Sequence, residues 1–358
     1  MARRYRRWRV RALRRACEQD GNPALWLAQS HALRDHLQLG RGRVEFLALN
    51  RQYLQLSQPV GVALTLRHPS GAAGSSSHIG DTDDDGWMLN FDEDLALAHN
   101  LADVAGTITL GFFERDLQKW SKTDGSLATE ADVAVEDALR DLLRAQRATD
   151  AFLGEERGQS GSGSRRWIID GIDGTVEFAA RSPDWGTLIA LEEDGRVVVS
   201  VCDQPAHRRR YWAVKGRGAY CRYAVEGMPV PLRASATGDL AAARSYVPPA
   251  RWLPDAAAHR IAAAVANATT PSPQDNHPAL QVASGGYDVA LFLIAGPWDI
   301  AAPALIVEEA GGRFSDLTGR HHLESGNAVF TNGIVHDHVL KVVSAASSSW
   351  SKSTHSMR

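Results

Sequence analysis

Between residues 92 and 119, apolar side chains recur at three- and four-residue spacings: Leu95, Ala98, Ala102, Ala105, Ile108 and Phe112. That period predicts a helix with one buried stripe. Thr129-Glu130-Ala131-Asp132 predicts the start of a second helix running through Arg147, with Val133, Leu139, Leu142 and Leu143 available to a core. Shorter apolar runs then follow a strand pattern. Ala151-Phe152-Leu153 ends at Gly154-Glu155-Glu156, and Trp167-Ile168-Ile169 is expected to stop at Asp170. Strands are predicted at Thr187 to Ala190 and Val197 to Val201, with Asp194-Gly195 as the hairpin turn between them. Tyr211 to Val214 and Gly216 to Tyr220 suggest another strand pair. Beyond about residue 225 strands and helices alternate: a helix then a strand within Ala279 to Ala295, a helix from Ile300 to Ala310, a Gly311-Gly312 stop, and a strand at Arg313-Phe314. The chain carries no internal repeat.

This pattern divides the chain. From Ser70 to Gly86 the composition turns to Gly, Ser and Asp, which has little capacity to form a core. Residues 1–88 are therefore expected to be a non-catalytic, largely disordered extension. An α+β subdomain is expected over 89–224, a second α/β subdomain over 225–348, and a disordered tail over 349–358.

Composition alters the picture only at the edges. A net charge of −3 gives the chain as a whole no reason to seek nucleic acid or an anionic membrane. Eight of the first 15 residues are arginine, yet no apolar stretch follows them as a secretory signal requires. A basic arm touching RNA or membrane is the sharper reading of this segment, and a poorly ordered extension is the preferred one. Cys17, Cys202 and Cys221 form neither a disulfide framework nor a zinc spacing, which fits a reducing cytoplasm. No apolar run approaches the roughly 20 residues that span a bilayer.

Chemistry concentrates in carboxylates beside apolar strands or at helix starts. They are Glu155 and Glu156 after Gly154, Asp170 and Asp173 within Asp170-Gly171-Ile172-Asp173-Gly174-Thr175, Asp299 after Trp298, and Asp132. Such groups are costly unless paired or metal-bound. Hard oxygen donors in this number suit Mg²⁺, which shares its shell among carboxylates, water and phosphate oxygens. A tight loop would turn Asp170 and Asp173 toward one point, and a helix opening at Thr175 would present free N–H groups to a phosphate. Taken singly, each piece has a plainer reading: a solvated Glu pair, a helix cap beside a tryptophan, an Asx turn.

Taken together, in order and spacing, they resemble the inositol-monophosphatase superfamily, and within it the bacterial histidinol-phosphate phosphatase branch. Trp167-Ile-Ile-Asp-Gly-Ile-Asp-Gly-Thr-Val-Glu-Phe178 is similar to the first family signature, and Trp298-Asp-Ile-Ala-Ala-Pro-Ala-Leu-Ile-Val-Glu-Glu-Ala-Gly-Gly312 to the second. Lesser matches are Asp124-Gly125-Ser126, Gly154-Glu155-Glu156, Lys215 to Ala219, and Thr331-Asn332-Gly333. The resemblance implies a layered αβαβα sugar-phosphatase fold, two or three Mg²⁺ ions, and hydrolysis of a small phosphate monoester, with a homodimer as the default assembly. It further implies one metal on Glu155, Asp170 and the carbonyl of Ile172, and a second on Asp170, Asp173 and Asp299, with Asp170 bridging. Thr175, oriented by Asp132, would help deprotonate the attacking water. Asp173, Gly174, Thr175 and Asp299 would surround the phosphate, the amides of Gly174 and Thr175 binding it.

Three positions depart from the family pattern. Gly171 replaces the usual proline, Glu177 stands where a neutral or basic residue is common, and Phe292 occupies the place of a frequent acidic contact seven residues before Asp299. The reaction is therefore read more firmly than the substrate. Histidinol phosphate, an inositol or sugar phosphate, and an amino-bearing cyclitol phosphate near Glu177 and Asp184 all fit, with Arg181, Trp185 and Ser284 as candidate pocket walls. A 3′-nucleotidase or bisphosphatase would need a basic cluster, for which Arg208-Arg209-Arg210 is the one candidate and a solvated turn its plainer reading. A phosphatase-like binding protein would use the arginine-rich arm.

Overall fold

Alternating side chains on one strand have to be buried on both sides here, and that sets the architecture. In β5 (Arg165–Asp173), Trp167 and Ile169 face one way and Ile168 the other, and all three are buried. A strand apolar on both faces needs cover on both faces. The computed structural model describes residues 91–353, apart from 124, 225–226 and 273–276, with side chains described through residue 347. The expected extension over 1–88 lies outside the described residues, with Cys17, the arginine-rich start and the Gly/Ser/Asp stretch, as do residues 354–358.

The first helices are α1 (Asp92–Phe112) and α2 (Glu130–Gln146), separated by the hairpin of β1 (Lys119–Ser121) and β2 (Leu127–Thr129). Next come β3 (Ala151–Gly154), β4 (Gly158–Ser160), β5 and the short α3 (Thr175–Ala179). An antiparallel run follows: β6 (Gly186–Glu193), β7 (Arg196–Gln204), β8 (Arg209–Val214), β9 (Ala219–Tyr223) and β10 (Val230–Pro231). These strands make an eight-stranded sheet in the order β10-β9-β8-β7-β6-β5-β3-β4, in which only the β3–β5 pair is parallel.

The remainder holds β11 (Arg244–Tyr246), α4 (Ala256–Ala268), β12 (Thr270–Pro271), α5 (Pro278–Ala283), β13 (Val289–Phe292), α6 (Pro297–Glu309), β14 (Arg313–Ser315), β15 (Ala328–Thr331) and α7 (His336–Ser353). Its five strands form a second sheet in the order β12-β11-β13-β15-β14. The expected tail, 349–358, overlaps the end of α7.

Packing stacks these parts in five layers. Leu97, Leu101 and Ala105 of α1, with Val135 and Leu139 of α2, cover Trp167, Ile169, Ile189, Leu191, Val199 and Val201 on one face of the large sheet. The other face carries Ile168, Leu188, Ala190 and Tyr211, which pack with Ile300, Leu305 and Ile306 of α6 and with Ala290, Phe314 and Phe330 of the small sheet. Ile261 and Val265 of α4, with Val339 and Val343 of α7, close the outer face over Val289, Leu291 and Val329. The result is the expected layered αβαβα arrangement. Helix α6 is buried from Ile300 through Val307, as a helix between two sheets must be.

Two elements differ from the sequence-based expectation. α1 ends at Phe112 rather than near residue 119, because Phe113 is extended and Glu114 takes a positive φ of 65°. β5 continues past Asp170 to Asp173 with a register shift between them, where a strand end and a loop were expected. Cys202 and Cys221 are buried free thiols, and among the described residues no helix is long and apolar enough to cross a membrane.

The middle layer sets the stability. Ile306→Ala removes a fully buried side chain, 0% exposed, between two sheets. It should cost about 2–5 kcal/mol in urea unfolding, whereas Ile334→Ala, at a side chain 54% exposed, should stay within about 0.5 kcal/mol.

Candidate active site

Asp170 and Asp173 are three residues apart, so a regular strand would point them to opposite faces. The register shift in β5 removes that alternation. Asp299, at the third position of α6, arrives from the middle layer, and its Oδ2 accepts from the Gly296 amide at 2.7 Å. Carboxylate oxygens of Asp170, Asp173 and Asp299 thereby lie within 4.8 Å of one another.

Such convergence is electrostatically expensive. Burial raises the Asp170 carboxyl well above the ordinary range, and the charges of Glu155, Asp173 and Asp299 add to it. Asp299 is raised by burial and then by Asp173 and Glu155. Burial also raises Asp173, with His277 opposing. One oxygen of Asp170 accepts from the Ile172 amide at 2.9 Å, which orients the group without neutralising it. Three acceptor-only groups this close fit a hard divalent cation, and no cation side chain of the described residues forms an ion pair with Asp170 or Asp299.

Glu155 is placed differently. Its Oε1 takes a 2.6 Å ion pair from Lys122 Nζ, which also pairs with Glu156, so Glu155 stands beside the three aspartates rather than among them. Burial first, then these partners, act on each member: burial raises Glu155, and the two glutamates raise the Lys122 ammonium against burial. The turn carrying Glu155 is held from below by Glu136, a fully buried residue of α2 that accepts from the Glu156 amide at 2.7 Å and the Arg157 amide at 2.8 Å. Gly154 makes room for it: a Cβ there would meet the Glu136 carboxyl at 2.4 Å.

Asp132 joins two tasks. Its Oδ2 accepts from the Thr129 amide and hydroxyl, closing the cap of α2 at 2.8 and 2.6 Å, while its Oδ1 accepts from Thr175 Oγ1 at 2.9 Å. The Ile172 carbonyl lies 3.2 Å from the same hydroxyl. Between β5 and α3, Gly174 has φ of 84°, and a Cβ would meet the Asp184 carbonyl at 3.0 Å. The positive φ turns the chain so that Thr175 starts a helix at this point.

The flanking residues sort into wall and core. Glu177 is half-buried, raised by burial, and feels Asp173 and Asp184, so the acidic field extends beyond the aspartates. Asp184 is exposed and paired to His207 Nε2 at 2.9 Å. Tyr246 is raised to about 12, by burial first and then by Glu177 and Asp173. Phe292 packs against Phe330, His277 and Tyr246, at ring distances of 5.2, 6.0 and 6.4 Å. Trp185 is a core residue against Phe113 and Phe178. Arg181 is exposed and paired to Asp116, and Ser284 bonds the Leu280 carbonyl within its own helix end.

Arg208-Arg209-Arg210 is no free basic cluster, nor simply a solvated turn. Arg210 is buried between Asp203 at 2.7 Å and Asp103 at 2.8 Å, and Arg209 lies over Tyr223. Asp124 lies outside the described residues. Lys122, Glu136 and His277 were not singled out in the sequence. Lys122 sits in a short polar hairpin, and Glu136 falls on the stripe of α2 as a buried acid, which periodicity alone reads as an error.

Residues 90–348 match the Inositol monophosphatase family. Histidinol-phosphatase of Streptomyces coelicolor is 37% identical over 260 residues, covering 71% of this chain and 97% of that protein. Histidinol-phosphatase of Mycobacterium tuberculosis is 38% identical over 258 residues, covering 71% and 98%. A Streptomyces griseus protein named glucose-1-phosphate thymidylyltransferase is 37% identical over 254 residues, covering 66% and 91%. Among solved structures, the IMPase of Thermotoga maritima superposes with a TM-score of 0.61 at 27% identity, covering 72% of this chain and 98% of that one. The extragenic suppressor protein suhB of Bartonella henselae reaches a TM-score of 0.63 at 24% identity, covering 70% and 98%, and speaks to the fold alone. A match across nearly all of the described residues, with the acidic centre on the elements just described, leads to one conclusion: the chain belongs to the inositol monophosphatase family of phosphomonoesterases.

Proposed function

We propose that this enzyme hydrolyses a small phosphorylated alcohol with the help of Mg²⁺, and that histidinol phosphate is its first candidate substrate. The observation that carries the reading is the convergence of Asp170, Asp173 and Asp299 beside the Thr175–Asp132 pair. Asp170, Asp173 and Asp299 would hold cations, with Glu155 and the Ile172 carbonyl at the edge of the same cluster. When bound, such ions supply Lewis acidity and neutralise charge in an in-line displacement at phosphorus.

The protein's own groups divide the remaining work. Thr175 gives its hydroxyl proton to Asp132, which leaves the oxygen's lone pairs to accept from the attacking water. Asp132 is thereby the terminal acceptor in that chain, and its cap of α2 keeps it from rotating away. The amides of Gly174 and Thr175 would receive the phosphate.

Substrate preference follows from charge and shape. Glu177 and Asp184 favour a cationic alcohol, and Phe292 offers an apolar ring where a polyol would want a hydrogen-bond acceptor. Both features favour an amino-bearing substrate over inositol phosphate. The names of two relatives point the same way. The binding sites of Arg209 and Arg210 are already filled by Tyr223, Asp203 and Asp103, which weighs against a second phosphate subsite there.

Phosphate release from histidinol phosphate, inositol 1-phosphate, an aminocyclitol phosphate, glucose 1-phosphate and adenosine 3′,5′-bisphosphate, with and without Mg²⁺, tests the reading directly. Mg²⁺-dependent release should be greatest from histidinol phosphate. Release from none of the five would sink the proposal. Asp173→Asn should lower turnover at least about a hundredfold while its circular dichroism stays that of wild type.

The same carboxylates predict a pH effect on stability. Groups whose folded pKa is raised hold protons that the unfolded chain has already released. Their contribution is intact below the ordinary carboxylate pKa of about 4 and is lost as pH climbs through the raised values. In chelating buffer the urea midpoint should therefore fall as the pH is raised above the ordinary carboxylate range. Mg²⁺ should restore it at the higher pH, and Asp299→Asn, which keeps the Gly296 contact but sheds a charge, should flatten the fall. A midpoint unresponsive to Mg²⁺ would count against the cation site.

A further inference from the structure

Three side chains of α2 grip the tight turn between β3 and β4, residues 155–157. Glu136 is fully buried; its Oε2 accepts from the Glu156 amide at 2.7 Å and its Oε1 from the Arg157 amide at 2.8 Å. Arg140, one helical turn on, donates from Nη2 to Glu136 Oε1 at 3.2 Å and to the Gly158 carbonyl at 3.1 Å. Its guanidinium also lies 4.4 Å over the Phe152 ring of β3. The Arg157 side chain returns to Asp137 with bonds of 3.0 and 2.9 Å. None of these contacts uses the Glu155 side chain, whose Oε1 pairs with Lys122 instead.

A buried, paired acid adds little net stability over an apolar core residue. What it adds here is direction. Two oxygens that hold two successive amides fix the course of the turn, and with it the direction in which residue 155 leaves the backbone. Burial pushes the Glu136 carboxyl up, while the two amides and Arg140 oppose it; all of these partners are donors, as a carboxylate requires. We infer that Glu136 is a positioning residue for Glu155: it sets the β3–β4 turn before any cation arrives, so that only the Glu155 side chain has to leave Lys122 to reach one. The inference rests on the proposed reading of Glu155 as a metal-holding residue.

Groups that orient a ligand from behind are worth about ten- to a hundredfold in metal affinity. Glu136→Gln keeps the size of the side chain but aims an NH₂ donor at an amide donor, so one of the two holds on the turn is lost. Asp137→Asn serves as the control, because it weakens only the pair with Arg157, whose side chains are 50% and 46% exposed.

Amide hydrogen exchange of the metal-free full chain reads the turn without substrate or variant. The Glu156 and Arg157 amides should already be protected, and Mg²⁺ should add little. Amides that exchange freely until Mg²⁺ is added overturn the inference, since the cation and not Glu136 would then set the turn. Calorimetric titration with Mg²⁺ supplies the second reading. The binding step that Glu155→Gln removes should weaken about tenfold in Glu136→Gln, with any remaining step unchanged and with Asp137→Asn like wild type. An unaltered step in Glu136→Gln, or an equal loss at every step, overturns the inference and leaves the phosphatase reading standing. So does a Glu155→Gln protein that loses no step, because Glu155 would then hold no cation. Wild-type protein that binds no Mg²⁺ overturns the inference and the metal reading beneath it together. The exchange measurement uses wild-type protein, so a poorly folded substitution leaves the test intact.

Discussion

Repulsion among buried carboxylates is the constraint around which this molecule is arranged. Asp170, Asp173 and Asp299 come within 4.8 Å of one another although each alone would sooner face water. Such a cluster persists only when the backbone beneath it cannot relax, and here two separate parts of the fold fix its members. Asp170 and Asp173 ride on a strand paired on both sides, and Asp299 sits in the first turn of a helix clamped between two sheets. Energy lost in crowding the charges is offset by apolar burial elsewhere in the layers.

Support beneath the cluster is polar and hydrogen-bonded. Asp132 ties the cap of α2 to Thr175, and Glu136, one turn further along the same helix, receives two amides of the turn that presents Glu155. One helix therefore positions both ends of the acidic centre. Lys122 crosses from the β1–β2 hairpin to pair with Glu155 and Glu156, supplying a positive charge beside the cluster. These contacts orient groups rather than neutralise the aspartates, which keeps the cluster receptive to a cation.

Much of this was legible in the sequence because periodicity and spacing are local properties. The strand at Trp167-Ile168-Ile169, the helix through Ile300 to Ala310 and the acidic groups at their ends follow from order along the chain. What stayed hidden depends on partners distant in sequence. The early end of α1 needs the positive φ of Glu114, and the continuation of β5 to Asp173 needs the pairing of Asp173 with Gly186. The run Arg208-Arg209-Arg210 suggests a basic cluster or a solvated turn, yet Arg210 is buried because Asp203 and Asp103 meet it. His277 carries no local signal at all: a histidine before a proline becomes a neighbour of Asp173 only once the two halves of the chain pack.

The acidic centre and the apolar wall beside it consequently reside on different elements. Asp170, Asp173, Glu155 and Thr175 belong to the large sheet and its turns, whereas Tyr246 and Phe292 belong to the small sheet and His277 to the helix start beside it. Only Asp299 crosses, through α6. Changes at Phe292 act first on its ring neighbours Phe330, His277 and Tyr246. This arrangement explains how the clustered aspartates can match the family pattern while Phe292 departs from it. The exception is His277, which packs on Phe292 and lies 3.6 Å from Asp173. Through that one side chain the apolar wall and the acidic centre are mechanically joined, so a substitution at Phe292 that lets the imidazole turn would reach Asp173 as well.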